Sequence, residues 1–156
     1  MIGEKRRKGI SYERRLVDLL WKRGFACIRG GASGAGSRRR FVPDVVAMKS
    51  GVIFVFEVKV RSDEDVIYID VERIEKLMDF AKRAGGRAFI AVKYGGSEWR
   101  FVPVEKLQLS STGSSYKIDP ETVKNSGLTI KDLERLYVSA TQQSLSEWVC
   151  NGHEGK

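Results

Sequence analysis

The hydrophobic pattern changes period several times along the chain. From residue 10 to residue 23, Ile10, Leu16, Val17, Leu20 and Trp21 recur at helical spacing, and Gly24 suits the C-cap. FACIR (25–29) reads as a short strand. GGASGAGSRRRFV (30–42) has no period and reads as a loop, glycine-rich and then basic. DVVAMK and VIFVFEVKV are rich in β-branched and aromatic residues and are joined by Ser50-Gly51, which predicts a hairpin. RSDEDV (61–66) reads as an acidic loop. Helical spacing returns over 71–84, with Ile74, Leu77, Met78 and Ala81 on one face, Asp70 as N-cap and Gly85-Gly86 as stop. AFIAVKY (88–94) and WRFVPV (99–104) are further strands, LQLSSTGSSYKI is a polar hairpin, and Thr129 caps a last helix, IKDLERLYV. This order predicts an α/β fold with a mixed central sheet flanked by helices.

The expected organisation is a single domain over 1–138. Residues 1–9 read as a flexible basic arm and 139–156 as a loosely ordered polar tail. No apolar run approaches the ~18 residues of a membrane span. The basic N-terminus lacks the apolar stretch of a signal peptide. Cys27 and Cys150 are too few for a disulfide framework or a four-ligand zinc site. A reducing cytoplasm is the expected setting.

Charge sharpens this picture because it is segregated. Residues 1–40 hold twelve Lys/Arg and three acids, a net of +9, whereas the rest of the chain nets −1. Solubility alone needs no such segregation. Concentrated positive charge is the footprint of a polyanion partner, usually nucleic acid.

The hairpin carries the chemistry. With Ser50-Gly51 as a two-residue loop, Lys49 opposes Val52, and the same register puts Asp44 opposite Glu57. Opposed residues share a face with Cβ atoms about 5 Å apart. Lys59, two residues past Glu57, shares that face. Like charges directly opposite destabilise a sheet, so a positive group is expected between them. Lys59 could neutralise one carboxylate in a surface ion-pair cluster; a divalent cation would use both. Mg²⁺ favours few carboxylates, several waters and phosphate oxygens. Lys59 would then orient an attacking water or stabilise charge on a phosphate. Glu13 lies on the apolar stripe of the first helix. A first-turn acid also suits the helix dipole, but a carboxylate facing the sheet that holds Asp44 and Glu57 reads as a third acidic ligand.

Asp44, Glu57-x-Lys59 and the upstream Glu13 match the PD-(D/E)xK nuclease pattern. KGISYERRLVDLL, GFACIRGGASG, PDVVAMKSGVIFVFEVK, AGGRAFIAVK and WRFVPVEKL resemble, in order, the archaeal Holliday junction resolvase family. The resemblance spans about residues 8–138 and is densest in the N-terminal half. It implies a restriction-endonuclease-like fold, a homodimer, and Mg²⁺-dependent cleavage of four-way DNA junctions by paired, symmetric nicks, with Mn²⁺ as a possible substitute. It implies that Glu13, Asp44 and Glu57 are acidic catalytic or metal residues and that Lys59 is the catalytic lysine. Ser33 matches the family's functional serine in the ASG loop. Arg14 and Arg29 match basic positions linked to DNA binding or catalysis. Lys5, Arg6, Arg7, Lys8, Arg38, Arg39 and Arg40 would hold phosphates, contacts that carry little base information.

Other chemistries fit less well. GASGAGSR has part of a phosphate-loop spacing, but the required lysine is absent and a strand follows. His153 is the sole histidine, so a metal must be held by oxygen ligands. Trp21, Phe80 and Trp99 suit core packing or a dimer contact better than base stacking. Lys93 suits an exposed strand position as well as a DNA contact. The alternatives to a junction resolvase are another PD-(D/E)xK endonuclease, of repair or restriction type, and a non-catalytic DNA-binding protein.

Overall fold

A computed structural model describes residues 2–31 and 40–151. Its first helix, α1, runs from Ile2 to Lys22 and fully buries Leu16 and Leu20. The basic stretch 2–9, expected as an arm, is therefore part of α1. Charge alone does not unmake a helix: Glu, Lys and Arg are favourable helix formers, and Gly3 and Gly9 cost only about 1 kcal/mol each. A helix nucleated on its packed stripe extends through them. Gly24 ends α1 at φ 86°.

Strands β1 (Ala26–Arg29), β2 (Val45–Lys49) and β3 (Val52–Arg61) form an antiparallel meander. Ser50 and Gly51 both have positive φ, 48° and 81°, the signature of a type I′ turn that suits strand twist. Lys49 faces Val52 and Val45 faces Phe56, which is the register read from the turn.

The chain then adds β4 (Ile67–Asp70), α2 (Val71–Ala84), β5 (Arg87–Tyr94) and β6 (Arg100–Pro103). β5 lies parallel to β3, and the central sheet has the order β1-β2-β3-β5-β6. β7 (Gln108–Leu109) and β8 (Ser115–Ile118) form the expected hairpin and join β4 in a second, three-stranded sheet. Two helices follow, α3 (Pro120–Ser126) and α4 (Ile130–Asn151). Periodicity revealed neither β4 nor α3, because four and seven residues are too short to establish a period.

The central sheet separates two cores. Val55, Ile90 and Val102 pack with Ile74 and Leu77 of α2 and with Ile67, Ile69 and Ile118 of the small sheet. Phe54, Phe56, Phe89 and Phe101 pack with Leu16 and Leu20 of α1 and Leu133 of α4. β3 is thus covered on both faces. Trp99 is buried and Phe80 half-buried, but Trp21 is 64% exposed and does not belong to the core.

Residues 139–151, expected as loose tail, continue α4. Thr129 and Asp132 cap its start reciprocally: Thr129 N–H donates to Asp132 Oδ2 at 2.9 Å, and Asp132 N–H donates to Thr129 Oγ1 at 3.2 Å. Neither Gly nor Pro interrupts the chain from there to Asn151. Among the described residues, no helix is long and apolar enough to cross a membrane.

The turn can be tested by chemical denaturation. Gly51→Ala forces a Cβ into a φ of 81° and is expected to cost about 1 kcal/mol. Ser50→Gly is expected to leave stability unchanged or slightly raised.

Candidate active site

Glu57 is 4% exposed and is the sole buried charged side chain among the described residues. Alternation along β3 puts it on the face of Val55, which α2 covers. Asp44 reaches the same place differently from the simple register. The paired ladder ends at Val45 and Phe56, and Asp44 lies one residue before β2. Its carboxylate substitutes for the missing backbone partner, Oδ2 accepting from Val58 N–H at 2.8 Å. Its carbonyl accepts from Gly30 N–H at 2.9 Å. Gly30 fits only because it lacks a side chain, since an added Cβ would collide with the Pro43 carbonyl oxygen. The first glycine of the GGASG run thus fixes the backbone that aims Asp44.

The positive group expected between the two acids is present, and it comes from α2. Arg73 Nη2 lies 3.4 Å from Asp44 Oδ1 and 2.8 Å from Glu57 Oε2. Its Nε also donates to Glu57 Oε2 at 2.9 Å. The guanidinium stacks over Phe41, 4.5 Å from the ring centroid, and Phe41 packs edge-on against Phe80. Sequence reasoning missed Arg73. Its position, one residue before Ile74 on the apolar stripe, hinted at a cation facing the sheet, but no spacing tied it to Asp44. Lys59 Nζ sits 3.3 Å from the other oxygen of Glu57, Oε1.

Glu13 stands apart from this cluster. Its Oε2 accepts from Arg29 Nη1 at 3.0 Å, pairing α1 with β1. Its charge still reaches Asp44. Burial first, then the negative charges of Glu57 and Glu13, raise Asp44 from 3.8 to about 6. The Val58 N–H and Arg73 oppose that rise. Cys27 is half-buried, and burial pushes its thiol up to about 11, which suits packing rather than nucleophilic chemistry.

Of the expected DNA contacts, Lys5, Arg7, Lys8 and Arg14 are exposed on α1, Arg40 is exposed before β2, and Arg29 is half-buried against Glu13. Ser33, Arg38 and Arg39 lie outside the described residues, as does the side chain of Arg6.

This arrangement coincides with a known family. Residues 4–142 match the model of the archaeal Holliday junction resolvase (Hjc) family. The chain belongs to the archaeal Holliday junction resolvase family. The crossover junction endodeoxyribonuclease Hjc of Sulfurisphaera tokodaii is 39% identical over 148 residues, covering 95% of this chain and 100% of the relative. That of Methanocaldococcus jannaschii is 41% identical over 115 residues, covering 74% and 78%. The solved structure of Archaeoglobus fulgidus Hjc, a Holliday junction resolvase, matches with a TM-score of 0.71 at 35% identity, covering 80% of this chain and 98% of that one. The fold is restriction-endonuclease-like, with the mixed five-stranded sheet and flanking helices described above.

The family pattern implies a divalent metal, and the donors present suit one. One nitrogen of Arg73 touches both carboxylates, so Asp44 and Glu57 address a common cation position. Their hard oxygens fit Mg²⁺ or Mn²⁺. Among the described residues, no three acidic, imidazole or thiol groups converge on a metal. A site with two protein carboxylates leaves coordination positions for water and phosphate.

The Asp44 shift predicts a pH-dependent variant effect. Between pH 3.8 and about 6 the folded protein keeps a proton that the unfolded chain has lost. Stability therefore falls as pH rises through that window. In EDTA, Asp44→Asn is expected to raise the melting temperature above pH 6, with the gain shrinking to nothing near pH 4. A gain independent of pH would show that Asp44 ionisation is not its source.

Proposed function

We propose that this chain resolves four-way DNA junctions as a Mg²⁺-dependent endonuclease, cutting by paired, symmetric phosphodiester hydrolysis. The observation that carries the reading is the pair Asp44 and Glu57 addressing one cation position beside Lys59, in a chain of this family. Asp44 and Glu57 would hold the metal, which when bound would polarise the scissile phosphate and activate a water. Lys59 holds an ammonium at the edge of the same carboxylate, where it stabilises the negative charge that grows on the phosphoryl oxygens. The water oxygen bonds to phosphorus as the bond to the 3′-oxygen breaks. The 3′-oxygen leaves as a hydroxyl after taking a proton, and the 5′-phosphate stays on the other strand end. Glu13 would act through Arg29, keeping that cation oriented toward DNA.

Two copies related by a twofold axis would offer two equal sites, which suits two symmetric cuts. The exposed cations of α1 and Arg40 would grip phosphates without reading bases. Selectivity would then rest on the branched shape and deformability of the junction.

The deciding experiment compares Mg²⁺-dependent cutting of a four-way junction, a linear duplex and a flap. Cutting confined to the junction is expected; equal cutting of all three would make the chain a general endonuclease. Asp44→Ala is expected to abolish cutting while junction binding survives. Lys59→Gln is expected to slow single-turnover cutting by about 10²–10³-fold. Undiminished cutting by Asp44→Ala would contradict the metal site.

A further inference from the structure

Arg73 has no part in the chemistry above, yet it contacts both carboxylates of the site. We propose that its guanidinium is a built-in counter-cation: Arg73 and the divalent metal occupy the same position and exclude one another. This rests on the metal reading of Asp44 and Glu57 and adds a residue that sets how readily the metal enters.

The geometry supports exclusion rather than cooperation. Nη2 bridges Asp44 Oδ1 and Glu57 Oε2, at 3.4 and 2.8 Å, so one cation is shared by an oxygen of each acid. Nε takes a second bond on Glu57 Oε2. A divalent ion on those oxygens would stand in contact with a permanent positive charge, since a guanidinium does not deprotonate in proteins. Lys59 raises no such conflict. It holds Glu57 Oε1 and touches no oxygen of Asp44.

Arg73 is also built to wait in place and to leave. Phe41 supports one face of the guanidinium at 4.5 Å. The planar group is thereby held for two-acid contact at little conformational cost. The side chain remains 35% exposed, so solvent reaches it without any opening of the core. Its backbone lies in the first turn of α2, next to the buried Ile74, so rotation of the side chain suffices. Without metal, the arginine neutralises two carboxylates, one of them buried, that would otherwise repel. The metal must compete with it.

Mn²⁺ binding without DNA tests this directly, by calorimetry or by loss of the free-ion electron paramagnetic resonance signal. Arg73→Gln keeps a polar side chain and removes the charge; it is expected to bind Mn²⁺ at least tenfold more tightly than the wild type. Arg73→Lys keeps the charge but loses the two-acid bridge, and its affinity is expected between the two. Asp44→Asn is expected to lose binding. Saturating Mn²⁺ is expected to raise the melting temperature of Arg73→Gln more than that of the wild type. Equal affinity in wild type and Arg73→Gln, or weaker binding by the variant, would overturn the exclusion while leaving the metal site standing. Absence of Mn²⁺ binding in the wild type and both Arg73 variants would overturn both.

Discussion

The site depends on one unfavourable pairing: two carboxylates close enough to share a single cation beside a buried strand. Glu57 is almost fully enclosed, Asp44 is fixed by the Val58 N–H, and the negative charge of Glu57 acts on Asp44. Like charges so placed demand a cation. Much of the local structure either creates that demand or answers it. The Ser50-Gly51 turn sets the register, Gly30 lets the chain pass close to Pro43, and the end of the β2–β3 ladder turns Asp44 inward. Arg73 and Lys59 supply positive charge to different oxygens of Glu57. The raised pKa of Asp44 expresses the same tension, since burial and Glu57 favour its protonated form.

Packing explains why the demand does not unfold the protein. β3 is lined by Phe54 and Phe56 on one face and Val55 on the other, with α1 and α4 covering the first core and α2 and the small sheet the second. α2 contributes both to the core and to the site: Ile74 and Leu77 bury its stripe, which fixes where Arg73 begins. The C-terminal helix is tied to the hairpin as well. Lys49 Nζ donates to the Arg23 carbonyl and lies over the rings of Phe25 and Tyr137. The rigid scaffold thus positions charges that would be unstable on a loose one.

The central hairpin was legible because a two-residue Ser-Gly turn permits one register, and register fixes faces. The caps at Gly24, Gly85 and Thr129 were legible for the same local reason. Asp44 was legible as a member of the cluster, though its route there, a side-chain bond past the end of the ladder, depends on Gly30 and Pro43 meeting in space. Arg73 was not legible, because α2 reaches the site only after the short strand β4 and a crossover that places β5 beside β3. The ends of the chain misled for a different reason. Charge and polarity suggested an arm and a tail, whereas helix propensity carries α1 through residues 2–9 despite Gly3 and Gly9, and the lack of Gly or Pro carries α4 through 139–151. Glu13, placed by its stripe toward the sheet, meets Arg29 before it meets the other acids.

The most direct measurement is anomalous diffraction from crystals of the wild-type protein soaked in Mn²⁺. A peak between Asp44 and Glu57, with the Arg73 guanidinium withdrawn from both, is the predicted result. A peak elsewhere, or an Arg73 still bridging the two carboxylates at full Mn²⁺ occupancy, would contradict the claim that these acids form one cation position.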